Sequence, residues 1–175
     1  MKNFLKESII ALLLVAVIVS GFRFTLEQYF IEQVSMLPRL VEGERVLLEK
    51  VTYRIQSPAR GDIVVFHPPP KYGETPLIKR IIALPGETVF IKDGRVHIEG
   101  TALEESYCNE PPRYEMEPFN VPDDGYFVLG DNRNVSYDSH YGWTVPFEDI
   151  IGRVWLTVWP PSEWGVIPDH AYLSD

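Results

Sequence analysis

The chain has 175 residues, 45% of them hydrophobic, which is enough for one domain with a real core plus a short appendage but not for two full domains. Its net charge of −9 argues against a nucleic-acid partner, because neutralising phosphates requires a basic face. The single cysteine, Cys108, excludes an intrachain disulfide, and no Cys/His cluster has the spacing of a zinc site. We therefore expect neither a metal nor an organic cofactor.

The amino-terminal segment is the most apolar part of the chain. Lys2 and Lys6 precede the uncharged residues 8–22, and Arg23 follows them. As a helix this stretch spans only about 22 Å, short of the ~30 Å hydrocarbon core of a bilayer. If the Arg23 side chain reaches the interface and the helix continues to Leu26, the length becomes about 28 Å, which suffices with slight thinning of the bilayer. Residues 1–26 are thus predicted to form a cytoplasmic tip and one transmembrane helix.

The basic residues before this helix predict its orientation. Positive charge is retained in the cytoplasm, so residues 27–175 are expected outside it, as a membrane-anchored extracytoplasmic domain. A cleaved signal peptide is the alternative, because a basic start, a short apolar region and the small residues of VSG at its end fit that pattern as well.

From residue 27 onward the patterns are those of strands and turns. Residues 45–55 and 62–67 are apolar and β-branched, and they are predicted to be neighbouring strands. Asp93-Gly94, between two alternating segments in residues 87–100, predicts a type I′ hairpin. Four further regions are predicted in the same way: a proline-rich loop at 67–76, an acidic surface excursion at about 99–122, and apolar strands at 125–130 and 150–159. The domain is predicted to be mainly β.

Ser35, in the stretch VSMLPRL, is the first candidate for chemistry, and as a nucleophile it requires a base. One interpretation is a Ser-His-Asp arrangement that uses His140 with Asp138 or Asp131. The other is a Ser-Lys arrangement that uses Lys79. A turn or helix-cap residue is the structural alternative for the serine.

Lys79 and Arg80 lie side by side in the apolar stretch PLIKRIIALPGE. Strand alternation sends them to opposite faces, so at least one is expected to point toward protein. Arginine stays protonated, whereas a buried lysine gives up its proton, so only Lys79 qualifies as a base. Lowering its pKa from about 10.4 to about 8 requires roughly 3 kcal/mol, which apolar burial can supply. The alternative is a surface lysine whose stem covers apolar neighbours.

Four motifs together resemble a known family. SM-x-P at residues 35–38, RGDIVVF at 60–66, KRIIALPGE at 79–87 and GDNRNVSYDSH at 130–140 follow the apolar segment in that order. They resemble the type I signal peptidases, membrane-anchored Ser-Lys endopeptidases that remove signal peptides from exported proteins. The resemblance implies an antiparallel β-sheet catalytic domain after one transmembrane helix. It also implies preprotein substrates with A-x-A cleavage sites and a lipid bilayer as partners.

The resemblance implies roles for individual residues. Ser35 corresponds to the nucleophile, with its backbone N–H as an oxyanion donor, and Lys79 corresponds to the general base. Ser136 matches a serine whose hydroxyl hydrogen-bonds and orients the lysine. Arg80 and Asp138 match positions that shape the site.

Small substrate residues would occupy shallow apolar pockets, for which Met36, Leu37 and Ile82 are the candidates. Trp155, Trp159 and Trp164 are candidates either for core packing or for seating the domain on lipid.

Three positions depart from the common family pattern. Gln33 stands where many members have a serine that acts as second oxyanion donor, and its amide is a possible replacement. Arg39 places a cation after the motif proline. His140 stands where arginine is common, which would make an ion pair with Asp138 depend on pH. These departures keep open a different class of function, a non-catalytic membrane-anchored binding protein.

Overall fold

The computed structural model describes residues 2–168, apart from the side chains of helix residues 2, 3, 5, 18–20 and 22–24. The first element is helix α1, Lys2–Thr25, after which the chain enters a strand at Leu26. The predicted contribution of Arg23 at the bilayer interface falls outside the described side chains. Within the described part of the chain, no helix is both long and apolar enough to cross a membrane.

The remaining described residues form a mainly β, antiparallel structure, as the sequence predicts. Twelve strands are found in this range, and every strand pairing is antiparallel. They are β1 (Leu26–Phe30), β2 (Arg45–Glu49), β3 (Ile63–Phe66), β4 (Leu77–Ala83), β5 (Thr88–Lys92), β6 (Arg95–Ile98), β7 (Thr101–Ala102), β8 (Met116–Asn120), β9 (Gly125–Leu129), β10 (Val145–Pro146), β11 (Ile150–Trp159) and β12 (Gly165–Val166).

The larger sheet has the strand order β1-β2-β11-β3-β4-β9-β10, with β12 paired to β11. The prediction that residues 45–55 and 62–67 form neighbouring strands is wrong, because β11 lies between β2 and β3 and pairs with both. Strand β2 ends at Glu49, before the predicted end of its segment at residue 55. The Glu49 carboxylate accepts a hydrogen bond from the Thr52 N–H at 3.0 Å, and a short 3-10 helix begins at Thr52. Strand β11 begins about 100 residues after β2 ends, so no local pattern indicates that it inserts between β2 and β3.

The smaller sheet has the order β7-β6-β5-β8. Its β5–β6 hairpin confirms the predicted turn, since Asp93 and Gly94 have positive φ angles of 51° and 71°, as a type I′ turn requires. The predicted surface excursion is only partly correct, because β8 within it pairs with the open edge of β5. Apolar side chains of this region pack on a hydrophobic cluster to which strands β5, β6 and β9 contribute: Leu103, Tyr107, Tyr114, Met116 and Phe119.

Strand β4 lies between β3 and β9 and is covered on both faces. On the neighbouring strand β3, Ile63 and Val65 belong to one hydrophobic cluster, whereas Val64 and Phe66 belong to another. Any side chain that β4 carries is therefore enclosed by protein, whichever face it leaves. This explains how two adjacent cations can both be buried in an apolar strand.

Candidate active site

Ser35 lies in a tight turn between β1 and β2 that is pinned by its apolar neighbours. Met36 and Leu40 are fully buried in the first core cluster, and the Leu40 N–H donates to the Met36 carbonyl at 2.9 Å. The serine between this anchored turn and the exposed Val34 retains only 6% of its surface. No acceptor in the described part of the chain pairs with the Ser35 backbone N–H, so this donor is available to a ligand.

Lys79, on β4, contacts Ser35, although the two residues lie 44 positions apart in the chain. Its Nζ lies 2.7 Å from Ser35 Oγ and donates to the Ile78 carbonyl at 2.9 Å. The lysine is 1% exposed. Burial lowers the pKa of Lys79 to about 8, against the carboxylates of Asp138 and Asp131, which raise it. The amine is therefore neutral in a substantial fraction of molecules at mildly alkaline pH.

Arg80, the next residue, leaves the opposite face of β4 and is 2% exposed. The register confirms the predicted alternation, since Lys79 stands opposite Val64 and Arg80 opposite Ile63. The guanidinium forms a bidentate pair with Asp131, with distances of 2.8 Å from Nε to Oδ1 and 2.6 Å from Nη2 to Oδ2. A third bond reaches the Gly61 carbonyl at 2.9 Å. Arg80 thus supports the site from behind the strand.

The loop after β9 holds the turn that carries Ser35 through backbone contacts. The Asn132 N–H donates to the Ser35 carbonyl at 2.9 Å, and its Nδ2 donates to the Val34 carbonyl at 3.1 Å. Gly130 fits closely against the Ser35 carbonyl, because a Cβ on residue 130 would lie 2.5 Å from the Ser35 oxygen and 2.3 Å from Ser136 Oγ. Only glycine is compatible with this approach.

Ser136 lies in this loop, next to Gly130, with its hydroxyl buried. Its Oγ has no hydrogen-bond partner among the described residues, so the expected bond to Lys79 is not formed in this conformation. A buried hydroxyl without a partner is unfavourable.

Asp138 is fully buried and fixes the end of the loop. Its Oδ2 accepts from the Gly130 N–H at 2.9 Å, and its Oδ1 lies 2.6 Å from His140 Nδ1. The His140 ring stacks between Tyr114 and Tyr141, with centroid distances of 4.4 and 4.1 Å. The histidine is thus engaged with Asp138 and two aromatic rings, and the contact to Ser35 Oγ belongs to Lys79.

The other predicted residues lie as follows. Gln33 is partly buried, two positions before Ser35. Arg39 acts on Glu44, where burial raises the carboxyl pKa and the Arg39 guanidinium lowers it. Of the three pocket candidates, Met36 and Ile82 have no exposed surface and belong to hydrophobic cores, because their strand and turn point them inward. Only Leu37 retains surface that a substrate can contact in this conformation.

Several residues of the site were not predicted for their present contacts. Gly130 and Asn132 contact the turn that carries Ser35, and Asp131 pairs with Arg80 rather than with a histidine. The signal for these three was their place in the motif GDNRNVSYDSH. Glu105 and Tyr107, which contact Arg133 of the same loop, come from the acidic region 99–122 and had no distinguishing local pattern. Within the described residues, no group of three His, Cys, Asp or Glu side chains is arranged to hold a metal ion.

Comparison with known proteins assigns this site to a class. The family model described as signal peptidase, peptidase S26, matches residues 1–159. The chain belongs to this family, which confirms the resemblance drawn from the four motifs. It is 46% identical over 177 residues to signal peptidase I of Leptolyngbya laminosa, with 96% of this chain and 87% of that protein covered.

Two further relatives come from a cyanobacterium and a chloroplast. The chain is 45% identical over 152 residues to a probable signal peptidase I-2 of Synechocystis, covering 85% of this chain and 70% of that protein. It is 44% identical over 142 residues to thylakoidal processing peptidase 1 of Arabidopsis thaliana, covering 76% and 42% of the two chains. The protein is accordingly a peptidase that removes signal peptides from preproteins, as predicted.

Proposed function

We propose that this peptidase cleaves by a Ser-Lys dyad formed by Ser35 and Lys79. The observation that supports it is the 2.7 Å contact between Lys79 Nζ and Ser35 Oγ at a nearly water-free position. The lowered pKa of Lys79, about 8, makes the neutral amine accessible at moderate pH. A neutral amine accepts the hydroxyl proton, whereas an ammonium group cannot.

The reaction divides into two displacements. As Ser35 Oγ attacks the scissile carbonyl, its proton passes to Lys79 Nζ, and the oxyanion is bound by the Ser35 backbone N–H. Lys79 then returns that proton to the leaving amine as the peptide bond breaks and the acyl-enzyme forms. A water molecule gives one proton to the same amine and attacks the ester, and Lys79 Nζ passes that proton to Ser35 Oγ as the ester bond breaks and the carboxyl product leaves. The amide of Gln33 is proposed as a second oxyanion donor.

Three buried residues are proposed to support the dyad. Arg80, neutralised by Asp131, braces β4 from the face opposite Lys79. Asp138 holds the Gly130 N–H and raises the pKa of Lys79, which keeps the amine basic enough to accept a proton. The Ser136 hydroxyl is buried without a partner among the described residues, and we propose that it donates to or accepts from Lys79 during turnover.

The substrate is proposed to be the extended segment around an A-x-A cleavage site, which would add along a sheet edge. Small side chains at the −1 and −3 positions are expected to lie against apolar surface near Leu37. Access to Met36 or Ile82, both fully buried, would require local opening of the site.

The amino-terminal helix is proposed to anchor the enzyme in the membrane, with the catalytic domain extracytoplasmic. Apolar side chains of α1 are exposed, among them Phe4, Leu12 and Val17 at 75%, 73% and 69%. A bilayer would cover this surface, and a nucleophile ten residues after the helix would meet the cleavage site near the membrane surface. Trp159 and Trp164, at 52% and 67% exposure, would contact lipid headgroups.

The anchor is tested separately from the chemistry. Membranes from expressing cells are extracted with alkaline carbonate, and the retained protein is sequenced from its amino terminus. An anchored protein stays in the pellet and begins at Met1. A soluble protein that begins near residue 22 would instead establish the cleaved signal peptide.

The dyad is tested by cleavage of a preprotein with an A-x-A site, using detergent-solubilised protein. Ser35→Ala and Lys79→Ala are expected to lose activity, whereas His140→Ala is expected to retain it. Loss in His140→Ala with activity spared in Lys79→Ala would support the Ser-His-Asp arrangement instead. A wild-type protein as inert as Ser35→Ala would point to the non-catalytic binding protein.

A further inference from the structure

Glu105, on the segment between β7 and β8, makes a buried ion pair with the loop that holds the nucleophile. Its carboxylate accepts two bonds from Arg133, at 2.7 Å from Nη1 and 2.6 Å from Nη2. The Arg133 side chain is fully buried and that of Glu105 is 10% exposed. A bidentate pair of this kind fixes the orientation of the guanidinium as well as its charge.

Arg133 passes this constraint to the backbone around Ser35. Its Nε donates to the Gly130 carbonyl at 3.0 Å. Gly130 fits against the Ser35 carbonyl, and Asn132 donates to that same carbonyl at 2.9 Å. One continuous series of contacts therefore runs from the Glu105 carboxylate through Arg133 to the peptide group of Ser35.

Tyr107 ties the two buried arginines of the site together. Its hydroxyl donates to Glu105 Oε1 at 2.8 Å and lies 3.4 Å from Arg133 Nη2. The Arg80 guanidinium stacks on the Tyr107 ring at 4.0 Å from its centroid. The segment from the smaller sheet thus contacts both arginines that support the strand and the loop of the proposed dyad.

We propose that Glu105 is a positioning residue for peptide-bond cleavage, which acts through Arg133 to hold the Gly130–Asn132 loop against Ser35. This inference rests on the proposed role of Ser35 as nucleophile. Without the carboxylate, Arg133 retains a buried charge with no bidentate partner and must reorient toward water or another acceptor. The Gly130 carbonyl then loses its donor, and the loop no longer fixes Ser35 at the distance from Lys79 that proton transfer requires.

The effect is expected in the chemical step rather than in substrate binding. Displacing reacting groups by about 1 Å is sufficient to lower a rate about 100-fold. Glu105 is on the segment behind the loop, so an extended substrate has no need to contact it. A positioning role therefore predicts a lower kcat with little change in KM.

The test compares Glu105→Gln with Glu117→Gln, in the full-length protein and with an A-x-A preprotein as substrate. Glu117 lies on the exposed part of β8, and its substitution removes the same charge from the same region. Glu105→Gln is expected to lower kcat about 10- to 100-fold with KM within about threefold, and Glu117→Gln is expected to match the wild type.

A double-mutant cycle with Arg133→Met identifies the route of the effect. If Glu105 acts through Arg133, the double variant is expected to be no slower than the worse single variant. Additive losses in kcat would contradict this route. A kcat per folded molecule equal to the wild type in Glu105→Gln, with only a lower Tm, would overturn the proposal and leave Glu105 a structural residue.

Two further outcomes are distinguishable. If wild-type protein does not cleave the preprotein, the proposed function fails rather than the role of Glu105. If Glu105→Gln does not fold, Tyr107→Phe removes only the hydroxyl that donates to Glu105, and kcat is expected to fall about twofold to fivefold, because the Glu105–Arg133 pair itself remains. An unchanged kcat in that variant would count against the proposal.

Discussion

Two adjacent cations on opposite faces of strand β4 have different hydrogen-bond partners. Lys79 and Arg80 are both almost fully buried, at 1% and 2% exposure. Arg80 receives a bidentate carboxylate and a backbone carbonyl, so its charge is compensated in place. Lys79 contacts a hydroxyl and a carbonyl and, among the described residues 2–168, has no carboxylate in contact, so burial lowers its pKa to about 8.

The difference shows that burial alone does not decide what a cation does. A paired arginine keeps its proton and stiffens the structure, whereas a lysine without a carboxylate in contact becomes able to exchange one. Asp131 and Asp138 raise the pKa of Lys79 without touching it, which prevents the amine from losing its basicity. The strand therefore carries a paired guanidinium and an amine of lowered pKa on neighbouring residues.

The largest expected effect comes from making Lys79 resemble its neighbour. Lys79→Arg keeps a positive charge but cannot deprotonate, so cleavage is expected to fall by about 10⁴-fold. Lys79→Met, which matches the length of the stem without the amine, is expected to lose as much. Initial rates of preprotein cleavage measure both variants. Substantial activity in either one would exclude Lys79 as the base.

The next-largest effect is expected when Arg80 loses its counter-ion, Asp131. Asp131→Asn leaves a buried guanidinium without its counter-ion, and the free energy of unfolding is expected to fall by about 3–5 kcal/mol. Denaturant unfolding of the detergent-solubilised protein measures it. The control is Glu110→Gln, which breaks the exposed pair with Arg113 and is expected to change stability by less than about 0.5 kcal/mol. Equal effects in the two variants would contradict the contrast between buried and exposed pairs.

Lys79→Met is also expected to change how stability depends on pH. With a folded pKa of about 8 and an ordinary value of 10.5, the unfolded chain binds more protons than the folded protein between these two pH values. Wild-type stability therefore rises with pH across this window. At pH 7 the methionine variant is expected to be more stable than the wild type by up to about 3 kcal/mol, and the difference should shrink toward pH 10. Denaturant midpoints at the two pH values provide the measurement.

The smallest expected effect is the pH dependence of the wild-type rate. Because the neutral amine is the reactive form, kcat/KM should rise as Lys79 loses its proton near pH 8. The expected increase between pH 7 and pH 9 is about tenfold. His140→Gln should keep this rise, since the imidazole contacts Asp138 rather than Ser35. A rate that is already constant above pH 6.5 would argue against the lysine.

Much of the fold and part of the site follow from local patterns. The Asp93-Gly94 turn and strands β9 and β11 depend on residues within one short segment, and all were predicted at their observed places. Burial of at least one of Lys79 and Arg80 was expected from strand alternation, and both are buried. The insertion of β11 between β2 and β3 was missed, since strand order depends on pairing between segments far apart in the chain.

By itself, the sequence determined that the domain is mainly β, that it belongs to the signal peptidases, and that Ser35 and Lys79 are the candidate pair. Short-range periodicity, turn chemistry and the order of four motifs carry that information. Only the tertiary structure decided that Lys79 meets Ser35 while Arg80 meets Asp131, and that Glu105 holds Arg133. These contacts join residues 28 to 51 positions apart, and packing of the two sheets, rather than any local pattern, selects each partner.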